Sequence, residues 1–206
     1  GTASGSVTVD PSGRFLYAAN ATDDNVSAYT INETTGALTA VAGSPFAADD
    51  TPRSVTVDPS GRFVYVANSD GCKVSAYTLN DTTGALTEVA GSPFAAGTMP
   101  WSVVTDPAGG FLYAANATTG NVSVYTINDT TGVLTPVAGS PFSTGTGPRC
   151  AAVDPTGRYL YTANSISDNV SAFTINETTG ALAAITGSPF AAGDSTWAVT
   201  IVKVVY

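Results

Sequence analysis

The chain has 206 residues, 43% of them apolar, which is ample for one or two packed domains and argues against intrinsic disorder. Only 11% of residues are charged, and 7 basic against 16 acidic residues leave a net charge of −9, which disfavours nucleic acid and anionic membranes as partners. The absence of histidine excludes His-based triads, imidazole metal sites and imidazole proton shuttles.

No apolar run is long enough to span a bilayer, and Gly1-Thr2-Ala3-Ser4-Gly5 has neither a basic nor an apolar leader region. A soluble, already processed chain without membrane insertion is expected. Cys72 and Cys150 lack CxxC spacing; free thiols and a disulfide within or between chains are both open from spacing alone. Cys72 falls in a loop and Cys150 at the start of an inner strand two units away, so a bond within one chain is not expected.

Asp10-Pro11-Ser12-Gly13, Asp58-Pro59-Ser60-Gly61, Asp106-Pro107-Ala108-Gly109 and Asp154-Pro155-Thr156-Gly157 recur at steps of 48 residues. The first two copies share about 34 of 48 positions. The chain divides into units 6–53, 54–101, 102–149 and 150–197 of a single repeat domain, with a remainder at 197–206.

Within the first unit, Val7 and Val9 alternate with polar residues, a strand pattern, and Asp10-Pro11-Ser12-Gly13 supplies turn chemistry. Residues 14–20 read as a second strand and 25–31 as a third. Asn32-Glu33-Thr34-Thr35-Gly36 turns the chain into a fourth strand over 37–42, which Gly43-Ser44-Pro45 ends. No segment has useful helical periodicity. Four antiparallel strands per unit without helices predict an all-β fold, a β-propeller of four 48-residue blades. A β-solenoid is the rival, but its coils are usually shorter and lack tight hairpins. A ring of four blades, an eight-bladed ring from two chains and an open array all accommodate four units; one compact body with the Val-rich first strand innermost is expected.

At the end the repeat breaks: the fifth copy of the turn is erased, and 197–206 reads as one uninterrupted extra strand. Trp197, Val199, Ile201, Val202, Val204, Val205 and Tyr206 are its candidate assembly residues, surplus to sixteen strands and suited to pairing with a neighbouring subunit.

The pattern Asp-Pro-x-Gly-Arg-Phe-x-Tyr-x-Ala-Asn followed by Asn-Val-Ser-x-Tyr-Thr resembles the lactonase-like propellers, related to YVTN-type repeats and to 6-phosphogluconolactonases and carboxymuconate cyclases. The resemblance covers nearly the whole chain. It implies a ring of seven blades, roughly twice this length, with catalysis near the central channel by groups including Arg, Glu and often His. This chain has no histidine to match.

The recurring Asp before Pro-x-Gly is read as an Asx-type turn, and neither a metal nor a cofactor is expected. The residue entering the first strand is Gly5, Arg53, Trp101, Arg149 and Trp197 in successive copies. Alternating Arg and Trp at the mouth of a channel suits a small anionic or sugar-like ligand, so Arg53, Trp101, Arg149 and Trp197 are the candidate binding residues. Variation at Asp23-Asp24, Asp70-Gly71-Cys72-Lys73, Thr119-Gly120 and Ser167-Asp168 is read as loop drift. Asn20, Asn25, Asn32, Asn80, Asn116, Asn121, Asn128, Asn169 and Asn176 head Asn-x-Ser/Thr sequons and are candidates for glycans. Glu33, Glu88 and Glu177 are the only glutamates, and serine nucleophiles lack a histidine base.

Two functions follow. The first is a non-enzymatic extracellular or cell-surface propeller that self-associates into a structural or adhesive filament, with itself and glycans as partners. The second is a lactonase-like hydrolase or sugar-binding module using the Arg/Trp mouth.

Overall fold

A computed structural model describes residues 4–201. The first unit forms β1 (Ser4–Val9), β2 (Phe15–Asn20), β3 (Asn25–Ile31), β4 (Leu38–Ala40) and β5 (Phe46–Ala47). The second forms β6 (Pro52–Val57), β7 (Phe63–Asn68), β8 (Lys73–Leu79), β9 (Leu86–Glu88) and β10 (Phe94–Ala95). The third forms β11 (Pro100–Thr105), β12 (Phe111–Asn116), β13 (Asn121–Ile127), β14 (Leu134–Pro136) and β15 (Phe142–Ser143). The fourth forms β16 (Pro148–Val153), β17 (Tyr159–Asn164), β18 (Asn169–Ile175), β19 (Leu182–Ala184) and β20 (Phe190–Ala191). Each unit is a separate antiparallel sheet, a propeller blade with no helix.

Local chemistry makes each blade. In the first turn, the Asp10 carboxylate accepts the Ser12 and Phe15 N–H groups and the Ser12 hydroxyl. Asp58, Asp106 and Asp154 repeat the backbone bonds, so the Asx-type reading holds and these carboxylates are structural. The Asn32 side chain likewise accepts the Thr34 and Thr35 N–H groups.

The blade departs from the expected four strands in one respect. Its outermost strand is split in two: β4 and β5 pair with opposite ends of β3. The break falls at Gly43-Ser44-Pro45, where the Ser44 hydroxyl accepts the Ala28 N–H of β3 at 2.9 Å. Ser92, Ser140 and Ser188 do the same for Ala76, Val124 and Ala172. A side-chain oxygen thus replaces a missing ladder acceptor, which hydropathy alone does not reveal.

The Val-rich first strands are innermost, and β1, β6, β11 and β16 pack in sequence order. Hydroxyls stitch them together: Ser6, Ser54 and Ser102 accept the N–H groups of Val55, Val103 and Ala151 on the next blade. Three apolar clusters fill the three blade interfaces; the first joins Phe15, Tyr17 and Val26 to Val55, Val64, Tyr77 and Leu86.

Among the described residues the ring is open. Val7 and Leu38 are 62% and 49% exposed, whereas their counterparts Val55 and Leu86 are 5% and 6% exposed. The sequence is the same kind; what differs is the presence of a preceding blade. Covering such a valine is worth about 1.5–2 kcal/mol; the four units form the expected propeller-like body with the Val-rich strands innermost, and of the arrangements that four units allow it is an open run of blades.

The expected C-terminal strand is also corrected. Residues 197–201 have no regular strand pairing, and Val202, Val204, Val205 and Tyr206 lie outside the described residues. Val199 instead runs beside β16, its carbonyl 3.5 Å from the Cys150 sulfur. Among the described residues no second strand of a fifth blade accompanies it to form a ladder. Cys72 and Cys150 are both free thiols.

Candidate functional site

The innermost strand of each later blade begins with a proline, and the next residue is skipped by its ladder. Pro52 pairs with Asn68 and Ser54 with Ala67, leaving Arg53 as a β-bulge; Trp101 and Arg149 are bulged identically. A bulge re-aims the side chain away from the pleat. Pro52, Pro100 and Pro148 suit the start of a strand, where their missing N–H costs no ladder bond.

Re-aimed in this way, Arg53, Trp101 and Arg149 meet one another across blades, and Trp197 joins them. The Arg53 guanidinium lies 4.6 Å from the Trp101 ring centroid, Arg149 lies 4.4 Å from it, and Arg149 also lies 4.1 Å from the Trp197 ring. The result is a ladder, Arg53–Trp101–Arg149–Trp197, with each indole facing at least one cation. Such contacts contribute about 0.5–2 kcal/mol each, more when desolvated, and both guanidiniums share the Trp101 ring. Gly5 is the first rung. A Cβ there would sit 2.4 Å from the Arg53 carbonyl oxygen, so the close approach of β1 to β6 requires glycine.

The ladder lines a cavity of about 250 Å³ with Ser6, Ser54, Ser102 and Cys150. Among the described residues no carboxylate lines it. Among the described residues the ion pair is Lys73–Asp49 at 2.8 Å, so neither ladder arginine is neutralised by an acid. The Nε atoms of Arg53 and Arg149 are buried and without a hydrogen-bond partner. Two guanidiniums with buried unpaired donors thus stand beside flanking indoles, a combination of charge and ring faces chemically suited to an anion.

Other candidates fare differently. Asn20 and Asn116 are fully enclosed, donating to Ser27 and Asn25 and to Ser123 and Asn121 respectively, so these two sequons cannot carry glycans in the folded protein. Asn32, Asn80, Asn128 and Asn176 are exposed turn residues; Asn25, Asn121 and Asn169 are half-buried. The variable hairpin is more than drift: it holds one left-handed residue in every copy, Asp24, Cys72, Gly120 and Asp168. Asp24 and Asp168 use it to accept the N–H groups of Thr51 and Ser195. No three His, Cys, Asp or Glu residues cluster as metal ligands among the described residues.

Four antiparallel blades packed in sequence order by their innermost strands define a β-propeller architecture, with cations and indoles along its inner edge. The family model described as "Lactonase, 7-bladed beta-propeller" matches residues 1–104 and 102–200, and the chain belongs to that family. Among solved structures, the chain resembles a protein of Bacteroides fragilis provisionally assigned as a 6-phosphogluconolactonase, with 26% identity and a TM-score of 0.84 over 94% of this chain and 56% of that one. A similarly assigned protein of Bacteroides uniformis gives 24% identity and a TM-score of 0.83 over 93% and 55%. The periplasmic gluconolactonase of Pseudomonas aeruginosa gives 21% and 0.81 over 94% and 55%. No curated protein matches. The chain thus spans about half the length of these structures, in keeping with four of seven blades.

These likenesses overturn the first functional reading. A non-enzymatic adhesive filament protein is not what the family or its structural neighbours point to, and strand pairing through 197–206 goes with it.

Proposed function

We propose that the chain is the four-blade portion of a lactonase-like hydrolase that takes an anionic sugar lactone at the Arg53–Trp101–Arg149–Trp197 ladder. The observation that carries this is the pair of unneutralised guanidiniums with buried, unpartnered Nε donors, set in a member of the lactonase family. One guanidinium binds the acidic substituent of the sugar; the other donates to the lactone carbonyl oxygen. The indoles stack against the C–H face of the ring.

Solvent hydroxide adds to the carbonyl carbon, the oxygen develops negative charge beside the second guanidinium, and the ring C–O bond then breaks. The alkoxide released takes the proton of the carboxylic acid just formed, and the product is the open hydroxycarboxylate. Stabilising that oxyanion is the arginine's contribution. Among the described residues no carboxylate or histidine base lines the ladder, so within these blades the attack depends on solvent hydroxide, and turnover rises with pH.

The test is turnover of a phosphorylated gluconolactone by the purified chain, with Arg53→Ala and Arg149→Ala. Each substitution is expected to lower kcat/KM by about 30- to 100-fold, the loss of one charge-assisted contact to a developing oxyanion or anion. Unchanged turnover in both variants would sink the proposal. Quenching of indole fluorescence by the lactone without turnover would leave a sugar-binding module at the same ladder.

A further inference from the structure

The third Asp-Pro-x-Gly turn differs from the others in two places, and both differences remove atoms from one spot. In the first turn the Ser12 hydroxyl donates to Asp10, and Arg14 Nε donates to the Ser12 hydroxyl at 3.1 Å. The Arg14 guanidinium lies 5.3 Å from the Phe15 ring centroid, and its Nη2 donates to the Asp81 backbone carbonyl on the next blade at 2.5 Å. Arg14 therefore bridges the groove between blades. Arg62 and Arg158 repeat the hydroxyl bond at 3.1 and 3.2 Å and lie 5.3 and 5.7 Å from Phe63 and Tyr159.

In blade 3, Ala108 replaces the hydroxyl residue and Gly110 replaces the arginine. The Phe111 face loses its cation, and the outer oxygen of Asp106 keeps only the Ala108 N–H. A Cβ built at Gly110 would meet nothing within 4 Å. What remains is a cavity of about 390 Å³ lined by Asp106, Ala108 and Phe111 of blade 3 and Thr156, Ile175 and Glu177 of blade 4. Glu177 stands where Asp81 stands in the first pair of blades, at the end of the arginine's reach.

A second, separate feature marks the same interface. Tyr17 and Tyr65 donate their hydroxyls to the Gly84 and Gly132 carbonyls of the following blade at 2.9 and 3.1 Å. Tyr113, equally enclosed, has a buried hydroxyl with no partner. The turn at 176–180 is thus not tied to blade 3 as its counterparts are tied to theirs.

We propose that this cavity binds an external organic cation bearing a guanidinium or primary ammonium group on a short alkyl stem, replacing the arginine that blade 3 lacks. Phe111 supplies the ring face, Asp106 and Glu177 supply opposite charge, and Ile175 receives the stem. A bare divalent ion fits poorly, since two carboxylates beside a phenyl ring fall short of its six or more oxygen ligands. The proposal is independent of the lactone reading, because the ladder and this cavity share no lining residue.

Titration of the isotope-labelled chain with n-propylguanidinium, followed by amide NMR, tests it. Saturable shifts are expected at Gly109, Gly110 and residues 176–180, with a Kd of about 1 mM, and none with the neutral isostere n-propylurea. Gly110→Arg is expected to abolish the shifts by filling the cavity from within. Glu177→Gln, on an exposed turn, weakens binding several-fold without touching the core, so the result does not hinge on one variant folding. Equal shifts with the urea, undiminished binding in Gly110→Arg, or no saturable shift would each overturn the proposal.

Discussion

Gly132→Ala is expected to destabilise the protein by about 3 kcal/mol or more, while the same change at the equivalent Gly36 costs only about 1–2 kcal/mol. Both glycines close the Asn-x-Thr-Thr-Gly turn, with φ of +73° and +69°, so both substitutions pay for a side chain in the left-handed region. At Gly132 the new Cβ would also sit 2.4 Å from Cδ1 of Phe63, a ring held in the blade 2 to blade 3 core; at Gly36 it meets nothing within 4 Å. The difference between the two is therefore the cost of displacing an adjacent blade. Urea unfolding of the two variants measures it directly. If Gly36→Ala proved as costly as Gly132→Ala, a further blade would have to cover blade 1 in solution.

The second large effect is at Asp58, which is 3% exposed. Its carboxylate accepts the N–H groups of Ser60, Arg62 and Phe63 and the Ser60 hydroxyl. Asp58→Ala strips the acceptor from three backbone donors at once and is expected to cost about 3–4 kcal/mol, with Asp58→Asn costing less because one carbonyl oxygen survives. The same turns set the acid limit of the fold. At Asp10 and Asp154 burial works to raise the carboxyl pKa, but the Ser12 or Thr156 hydroxyl and the turn N–H groups together outweigh it and hold the pKa below the usual carboxylate range. A folded pKa below the unfolded one means that the stabilisation is complete above the unfolded value of about 3.9 and is lost as pH falls through the folded one. The urea midpoint should stay level down to about pH 5 and drop below about pH 4. Asp10→Asn should flatten that drop, and a midpoint independent of pH would contradict this account.

Repeat length, strand positions and turn chemistry were legible in the sequence because each depends on residues close in the chain. Alternation of Val7 and Val9, Pro before x-Gly, and the Asn-x-Thr-Thr-Gly turn are local signals, and residues 25–31 were read with the boundaries of β3. The candidate ligand residues were legible for another reason: near-identical copies make a position that changes from Gly5 to Arg53 to Trp101 conspicuous. Their contacts with one another were not legible. Residues 48 apart become stacking partners only when blades pack, and the bulge that turns Arg53, Trp101 and Arg149 toward one another is a property of strand register. Burial was equally hidden. Val7 and Val55 occupy the same place in the repeat, yet one is exposed and the other enclosed, because only the second has a blade before it. Asn20 looked like a surface sequon until pairing across the hairpin buried it against Ser27. The amino-acid sequence by itself determined the blade, through turns and periodicity that act within some tens of residues. The tertiary structure alone decided what the blades do to one another: which apolar faces are covered, which arginines lie on which indoles, and where a missing arginine leaves room for a guest.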